Sequence, residues 1–180
     1  MTDLNTNTAK SASPIEPDDQ AQRDAAIDPN HSVLVQAPAG SGKTGVLLLR
    51  FLNCLQRVER PEQVVAITFT RKAAGEIRER VSEALNAAEK YRQGQGGEPE
   101  NDYEQVMLNA ASAALARDEA QGWGLLYNPA RLRIQTFDSF GISLTRKMPL
   151  LSGMASATPT EDSAALYRDA IYALFRHMEA

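Results

Sequence analysis

Ala37-Pro38-Ala39-Gly40-Ser41-Gly42-Lys43-Thr44 follows the apolar run Val33-Leu34-Val35 and precedes a helical stretch from Val46 to Leu55. That order reads as strand, phosphate-binding loop, helix. Glycines at 40 and 42 let the backbone turn tightly and bring its N–H groups against phosphate oxygens, and the start of the helix adds partial positive charge. Lys43 would reach the outer phosphates as a point charge, and the Thr44 hydroxyl would sit on the Mg²⁺ that bridges them. The usual spacing opens on glycine where this chain has Ala37, but Gly42, Lys43, Thr44 and both flanks keep the pattern. Nucleotide binding is the inference.

Beyond the loop, Leu47, Leu48, Phe51, Leu52 and Leu55 recur at helical spacing and are expected to face a core. Val64-Val65-Ala66-Ile67-Thr68-Phe69 is a second apolar, β-branched run of the kind found inside a parallel sheet. Thr70 can cap a helix that continues through Val81, with Ala73, Ile77, Val81, Ala84 and Leu85 on its buried side. Arg71, Lys72, Arg78 and Arg80 give it local positive charge, and Glu76 is placed to pair with Arg80. A glycine-rich stretch over 91–101 reads as a flexible separator, and Tyr103, Val106, Met107, Ala110, Ala111, Ala114 and Leu115 trace one face of a helical insertion over 102–121. Arg131 to Phe140 reads as a third strand and its exit. Phe137, Phe140, Arg131, Arg133, Arg146 and Lys147 gather there, and with the Phe69 turn they could form a single-strand track in which aromatic faces stack on bases. A last helix from Thr160 would present Ala164, Tyr167, Ile171, Leu174, Phe175 and Met178 with no later segment to cover them, which implies the opening of a longer chain.

Composition sets the outer limits. The 180 residues are 43% hydrophobic, enough to bury roughly 70% of the unfolded surface. A net charge of -4 gives no bulk attraction to nucleic acid, so any such contact must rest on a local basic patch. The single cysteine, Cys54, excludes an internal disulfide and a Cys-rich zinc site, and it reads as a core residue. Residues 1–17 are polar and read as a disordered tail. With no signal-like stretch and no run of about 18 apolar residues, the expected location is cytoplasmic and away from membranes. Gln22, on a short helix ending at Asp28-Pro29-Asn30, has an amide able to read an adenine edge.

Four ordered blocks resemble the amino-terminal part of a UvrD/Rep-type superfamily 1 helicase, most closely its RecB-like or AddA-like members. Gln22-Arg23 is similar to the adenine-reading Q motif, Ala37 to Thr44 to motif I, Ala66 to Ile77 to motif Ia, and Thr136-Phe137-Asp138-Ser139-Phe140 to motif Ib. The resemblance implies an α/β fold: an incomplete P-loop NTPase domain of the RecA-like kind, with parallel strands and helical insertions, over residues 18–150, and the start of a helical subdomain over 151–180. It implies ATP and Mg²⁺ held by Gln22 and by Ala37, Pro38, Ala39, Gly40, Ser41, Gly42, Lys43 and Thr44, with Lys43 and Thr44 also catalytic and Thr44 on the metal. It places Thr68, Phe69, Thr70, Arg71, Thr136 and Phe137 along single-stranded DNA. The implied parent is an ATP-driven translocase of 3'-5' polarity working in repair or recombination, with other members of a recombination complex as partners.

Two departures stand out. Asp138 occupies a position where many relatives carry His, and a carboxylate beside phosphate repels it. The acidic motif II and the later arginine motifs are missing, so the 180 residues are expected to bind nucleotide without turnover. The alternative is a complete small P-loop nucleotide kinase or NTPase that uses Asp138 as its Mg²⁺-linked acid.

Overall fold

A computed structural model describes residues 19–148 and 163–178. The proposed tail over 1–17, the break at Pro149 and the helix start at Thr160 lie outside the described residues. Six α-helices and two strands are described: α1 (Gln20–Ile27), α2 (Lys43–Leu55), β1 (Val65–Thr68), α3 (Arg71–Arg92), α4 (Asp102–Gln121), β2 (Arg133–Thr136), α5 (Phe137–Lys147) and α6 (Ala164–Met178). They fall into two compact units, one ending at Thr136 and one starting at Phe137.

In the first unit β1 and β2 pair in parallel, with Ala66 opposite Ile134 and Thr68 opposite Thr136. Residues two apart share a face of a strand, so Ala66, Ile134 and Thr136 point to the same side, and all three are buried. α3 covers that side. Leu52, Leu55, Val81, Leu85, Leu125, Leu132 and Ile134 form the centre of the core and are almost wholly excluded from water. The opposite side is open, with Val65 37% and Ile67 47% exposed, so this is not the doubly covered strand the apolar run suggests.

The expected strand at Val33 to Val35 does not form. Those residues carry no ladder, and Leu34 is 93% exposed. A strand exists only by pairing, and among the described residues β1 and β2 pair solely with each other. The α2 face also differs by one position: Leu49 is buried in place of Leu47, which is 42% exposed. At 100° per residue, Leu48, Leu49, Phe51, Leu52 and Leu55 form the continuous stripe, and Leu47 lies beyond its edge. Cys54 is half-buried against the core.

α3 starts where its cap predicts, with the Ala73 N–H donating to the Thr70 hydroxyl at 3.1 Å. Asn101 caps α4 in the same way through the Glu104 N–H at 2.9 Å, and Gly122 ends it in the left-handed conformation, φ 63°. The two helices run in the same direction: Arg92, which ends α3, pairs with Glu119 near the end of α4, while Tyr103 at the start of α4 feels the charge of Arg80. The 93–101 segment is therefore a return strap. It climbs back along α3, enclosing a cleft of about 480 Å³ with Ala84, Ala87 and Tyr103 among its walls. Gly96 is needed for this path, because a Cβ there would lie 2.9 Å from the Tyr91 Cα.

A polar clamp closes the route into β2. The buried Asp118 carboxylate accepts the N–H groups of Gly124 at 2.6 Å and Leu125 at 3.0 Å. Trp123 Nε1 donates to the Glu59 carbonyl at 3.0 Å, and Arg117 Nε to that of Val58 at 2.9 Å. Arg131 donates to Glu62 at 2.7 Å and to the Trp123 carbonyl at 2.8 Å. The α4–β2 connection is thereby tied to the α2–β1 connection, so the two strands enter the sheet from one fixed level.

In the second unit α5 follows β2 without a break, and Leu166, Tyr167, Ile171, Leu174 and Phe175 of α6 are each more than half exposed.

Leu52→Ala is expected to cost about 2–5 kcal/mol in urea unfolding, and Leu47→Ala under about 1 kcal/mol, the contrast reporting which side of α2 is inside. The Arg131 hydrogen bond holds the Glu62 carboxyl below its ordinary value of 4.5. Its contribution is present above that value and is lost as the pH falls through the folded one. Glu62→Gln should therefore destabilise by under about 1 kcal/mol at neutral pH, as for an exposed pair, and the difference should vanish in strong acid.

Candidate functional site

The phosphate-loop residues run from Ala37 into the first turn of α2. Gly40 and Gly42 both adopt the left-handed conformation, φ 81° and 82°, where a side chain is strained. Ser41 N–H donates to the Pro38 carbonyl at 3.4 Å, and the Gly45 N–H to that of Gly42 at 2.9 Å, so the turn closes directly into the helix. Lys43 Nζ reaches back over the loop to the carbonyls of Ala37, at 2.6 Å, and Pro38. Lys43 and Thr44 are exposed on the first helical turn, Ala37 is half-buried, and Pro38, Ala39 and Gly40 are open. The Ser41 hydroxyl is enclosed and has no hydrogen-bond partner among the described residues.

The loop is strapped by α1. Arg23 Nη2 donates to the Ser41 carbonyl at 3.1 Å, and the same guanidinium donates through Nε to Asp19 at 2.8 Å. That hydrogen bond lowers the Asp19 carboxyl below its usual range and raises Arg23. A Cβ on Gly42 would lie 3.3 Å from Arg23 Nη1, so the glycine's missing side chain leaves room for the strap as well as for the turn. Gln22 is exposed on α1, next in sequence to Arg23. Arg50 fixes the other end of α1, donating to the carbonyls of Ala26 and Asp28, each at 2.8 Å. Sequence reasoning gave Arg23 no role of its own, since nothing in an isolated arginine announces a carbonyl partner eighteen positions on.

A second group lies at the carboxyl ends of the strands, the edge where open α/β sheets receive ligands. Thr68 donates from its hydroxyl to the Thr70 carbonyl at 3.0 Å, while the Thr70 hydroxyl is occupied as the α3 cap. Phe69 is 97% exposed and Arg71 is open. Thr136, opposite Thr68 in the ladder, is 7% exposed, so its side chain belongs to the packed face rather than to an open surface. Phe137 opens α5 and is 67% exposed.

The basic residues divide. Arg131 is engaged by Glu62 and Trp123, and Arg78 donates to the Ile134 carbonyl, tying α3 to β2. Neither is a free surface cation of the kind the sequence suggested, because Arg131 is held by Glu62 and the Trp123 carbonyl and Arg78 by the Ile134 carbonyl. Glu76 pairs with Lys72 at 3.9 Å, one turn earlier than the expected Arg80. Asp138 sits exposed in the first turn of α5. Among the described residues no three His, Cys, Asp or Glu side chains converge on a metal position.

The UvrD/REP helicase N-terminal domain model matches residues 18–177. The chain belongs to that family. That membership implies a P-loop NTPase fold, with which the helix-rich body and the two-stranded parallel sheet are consistent. DNA helicase IV of Escherichia coli (strain K12) is 47% identical over 76 residues, 42% of this chain and 11% of that protein. The A-type subunit of the ATP-dependent helicase/nuclease of Desulfitobacterium hafniense (strain DSM 10664 / DCB-2) is 34% identical over 143 residues, 78% of this chain and 9% of that protein. DNA helicase II of Escherichia coli (strain K12) is 43% identical over 70 residues, 38% of this chain and 10% of that protein. The match therefore spans about a tenth of these relatives. No solved structure matches significantly. No helix among the described residues is long and apolar enough to cross a membrane.

Glycine substitutions separate the loop from ordinary helix. Gly42→Ala should destabilise by about 1–2 kcal/mol through its left-handed backbone. Gly75→Ala, inside α3 with open space around it, should stabilise by about 0.5–1 kcal/mol. Chemical denaturation of both variants reads the two signs.

Proposed function

We propose that this chain is the ATP-binding amino-terminal portion of an ATP-dependent DNA helicase or translocase, a partial RecA-like domain. The observation that carries the reading is the loop itself: two left-handed glycines deliver backbone N–H groups and the start of α2 to one place, with Lys43 on the first turn. Lys43 exchanges the carbonyls of Ala37 and Pro38 for phosphate oxygens of comparable geometry, so it is already aimed at the loop interior. Thr44 fits Mg²⁺ as a single protein ligand, because that ion keeps several waters and takes its remaining oxygens from phosphates. Bound there, the ion would neutralise charge on the outer phosphates. Gln22 reads the adenine edge from α1.

The carboxyl edge of the sheet is the proposed single-stranded DNA surface of the first unit, with the exposed ring of Phe69 for stacking and Thr68, Thr70, Arg71 and Thr136 around the strand ends; in the second unit the exposed ring of Phe137 is proposed as a DNA contact of its own. The buried side chain of Thr136 confines its part to the backbone. The work of the parent is read as 3'-5' translocation in repair or recombination, in the cytoplasm and within a multi-protein complex, in keeping with relatives named as one component of a helicase/nuclease. The family match favours this over a small nucleotide kinase using Asp138. These residues alone are read as binding nucleotide without turnover, because the acidic motif II and the later arginine motifs are missing from the 180 residues.

Calorimetry on the 180-residue chain should show Mg·ATP binding that Lys43→Ala abolishes, and Gln22→Ala should lower the ATP-to-GTP preference. Single-stranded DNA affinity should fall with salt at a slope of about -0.7 per phosphate contact, without stimulating hydrolysis. ATP binding indifferent to Lys43 would end the nucleotide reading, and DNA-stimulated turnover would end the fragment reading.

A further inference from the structure

We infer that Tyr103, from the first turn of α4, is a wall of the nucleotide site and stacks against the base of the bound nucleotide. This rests on the reading of the loop as an ATP site.

The position after Thr44 is Gly45, and its missing side chain is replaced by a ring from another helix. A Cβ on Gly45 would lie 2.7 Å from the Tyr103 hydroxyl and 3.1 and 3.2 Å from its ring carbons. Gly45 is thus the residue that admits Tyr103 to the start of α2, immediately beside the proposed Mg²⁺ ligand. The ring is only partly consumed by that contact, since Tyr103 is 49% exposed. Burial against its surroundings raises the phenol above its ordinary value, with Arg80 pulling the other way. An uncharged phenol does not repel an anionic nucleotide.

The two flanks of α2 complete the argument. Arg50 and Asn53 donate to carbonyls of 26–28, so their side of α2 faces the end of α1. Gly45 and Gln56 face α4, Gln56 through the Ala110 carbonyl at 3.3 Å. With Lys43 on the outer phosphates, a nucleoside that runs along the first turn of α2 passes the Tyr103 ring beside Gly45. Gln22 offers an amide for the edge of a purine and Tyr103 an aromatic face for its plane. The α3–α4 strap fixes the ring by starting α4 level with Gly45 instead of at the far end of α3.

The test compares Mg·ATP with inorganic tripolyphosphate, which has no base. Tyr103→Leu should weaken ATP roughly tenfold or more and leave tripolyphosphate unchanged, while Tyr103→Phe keeps both. In the unmutated chain, ATP but not tripolyphosphate should protect Tyr103 from nitration by tetranitromethane, with the 94% exposed Tyr127 as the unprotected control. Equal losses for the two ligands in Tyr103→Leu, no loss, or nitration of Tyr103 unaffected by ATP would overturn the assignment. Lys43→Ala must weaken both ligands. If it weakens neither, the loop reading fails, and that failure is distinct from one at Tyr103.

Discussion

Two parallel strands cannot be joined by a tight turn, and the body of this protein answers that constraint. The chain must travel from the end of β1 back to the start of β2, and α3 alone, beginning at the carboxyl end of β1, would carry it there. Instead the strap returns the chain along α3 and α4 repeats the descent, so both helices run the same way and share one core. The clamp around Asp118, Trp123 and Arg131 then delivers β2 at the level of β1. Residue pairs such as Ala66 and Ile134 meet because this route has one length.

The same route serves the chemistry. α4 begins beside the glycine-bearing loop, with Tyr103 against Gly45. α1 approaches from the neighbouring flank and is pinned by Arg23 to the Ser41 carbonyl. The loop is thus gripped by elements that precede and follow it in sequence. Its glycines serve both the turn and the close approach of those partners, which is why a side chain at Gly42 or Gly45 meets an obstacle as well as strain or crowding.

Local signals were legible in the sequence, and long-range ones were not. The Thr70 cap and the glycine-bearing loop follow from capping and turn chemistry within a few residues, and the structure has them. The helix faces came out in part: Ile77, Val81 and Leu85 of α3 and Ala110, Ala111, Ala114 and Leu115 of α4 are buried, but Ala74 is buried where Ala73 was expected, and Tyr103 and Val106 are 49% and 43% exposed. Leu47 and Leu49 were exchanged because a stripe of neighbouring leucines does not say where its centre lies until a partner helix is placed. Val33 to Val35 has strand composition, but composition supplies no ladder partner. Arg78 and Arg131 read as surface charges and Arg23 as a bystander to Gln22, yet Arg23, Arg78 and Arg131 are spent on acceptors 18, 56 and 69 positions away. Tyr103 looked like one more residue of a helix face, and only the tertiary course of the strap brings it to the loop.

The uncovered side of the two-stranded sheet has a physical cost of its own. Each strand has one unpaired edge among the described residues, and Val65 and Ile67 put β-branched surface beside the edge of β1. Unpaired N–H and C=O groups next to exposed aliphatic side chains are a template on which another extended segment can add. Concentrated solutions of this chain are therefore prone to strand-mediated self-association. Charged replacements at Val65 and Ile67 would act as gatekeepers without touching the loop, the strap or the clamp.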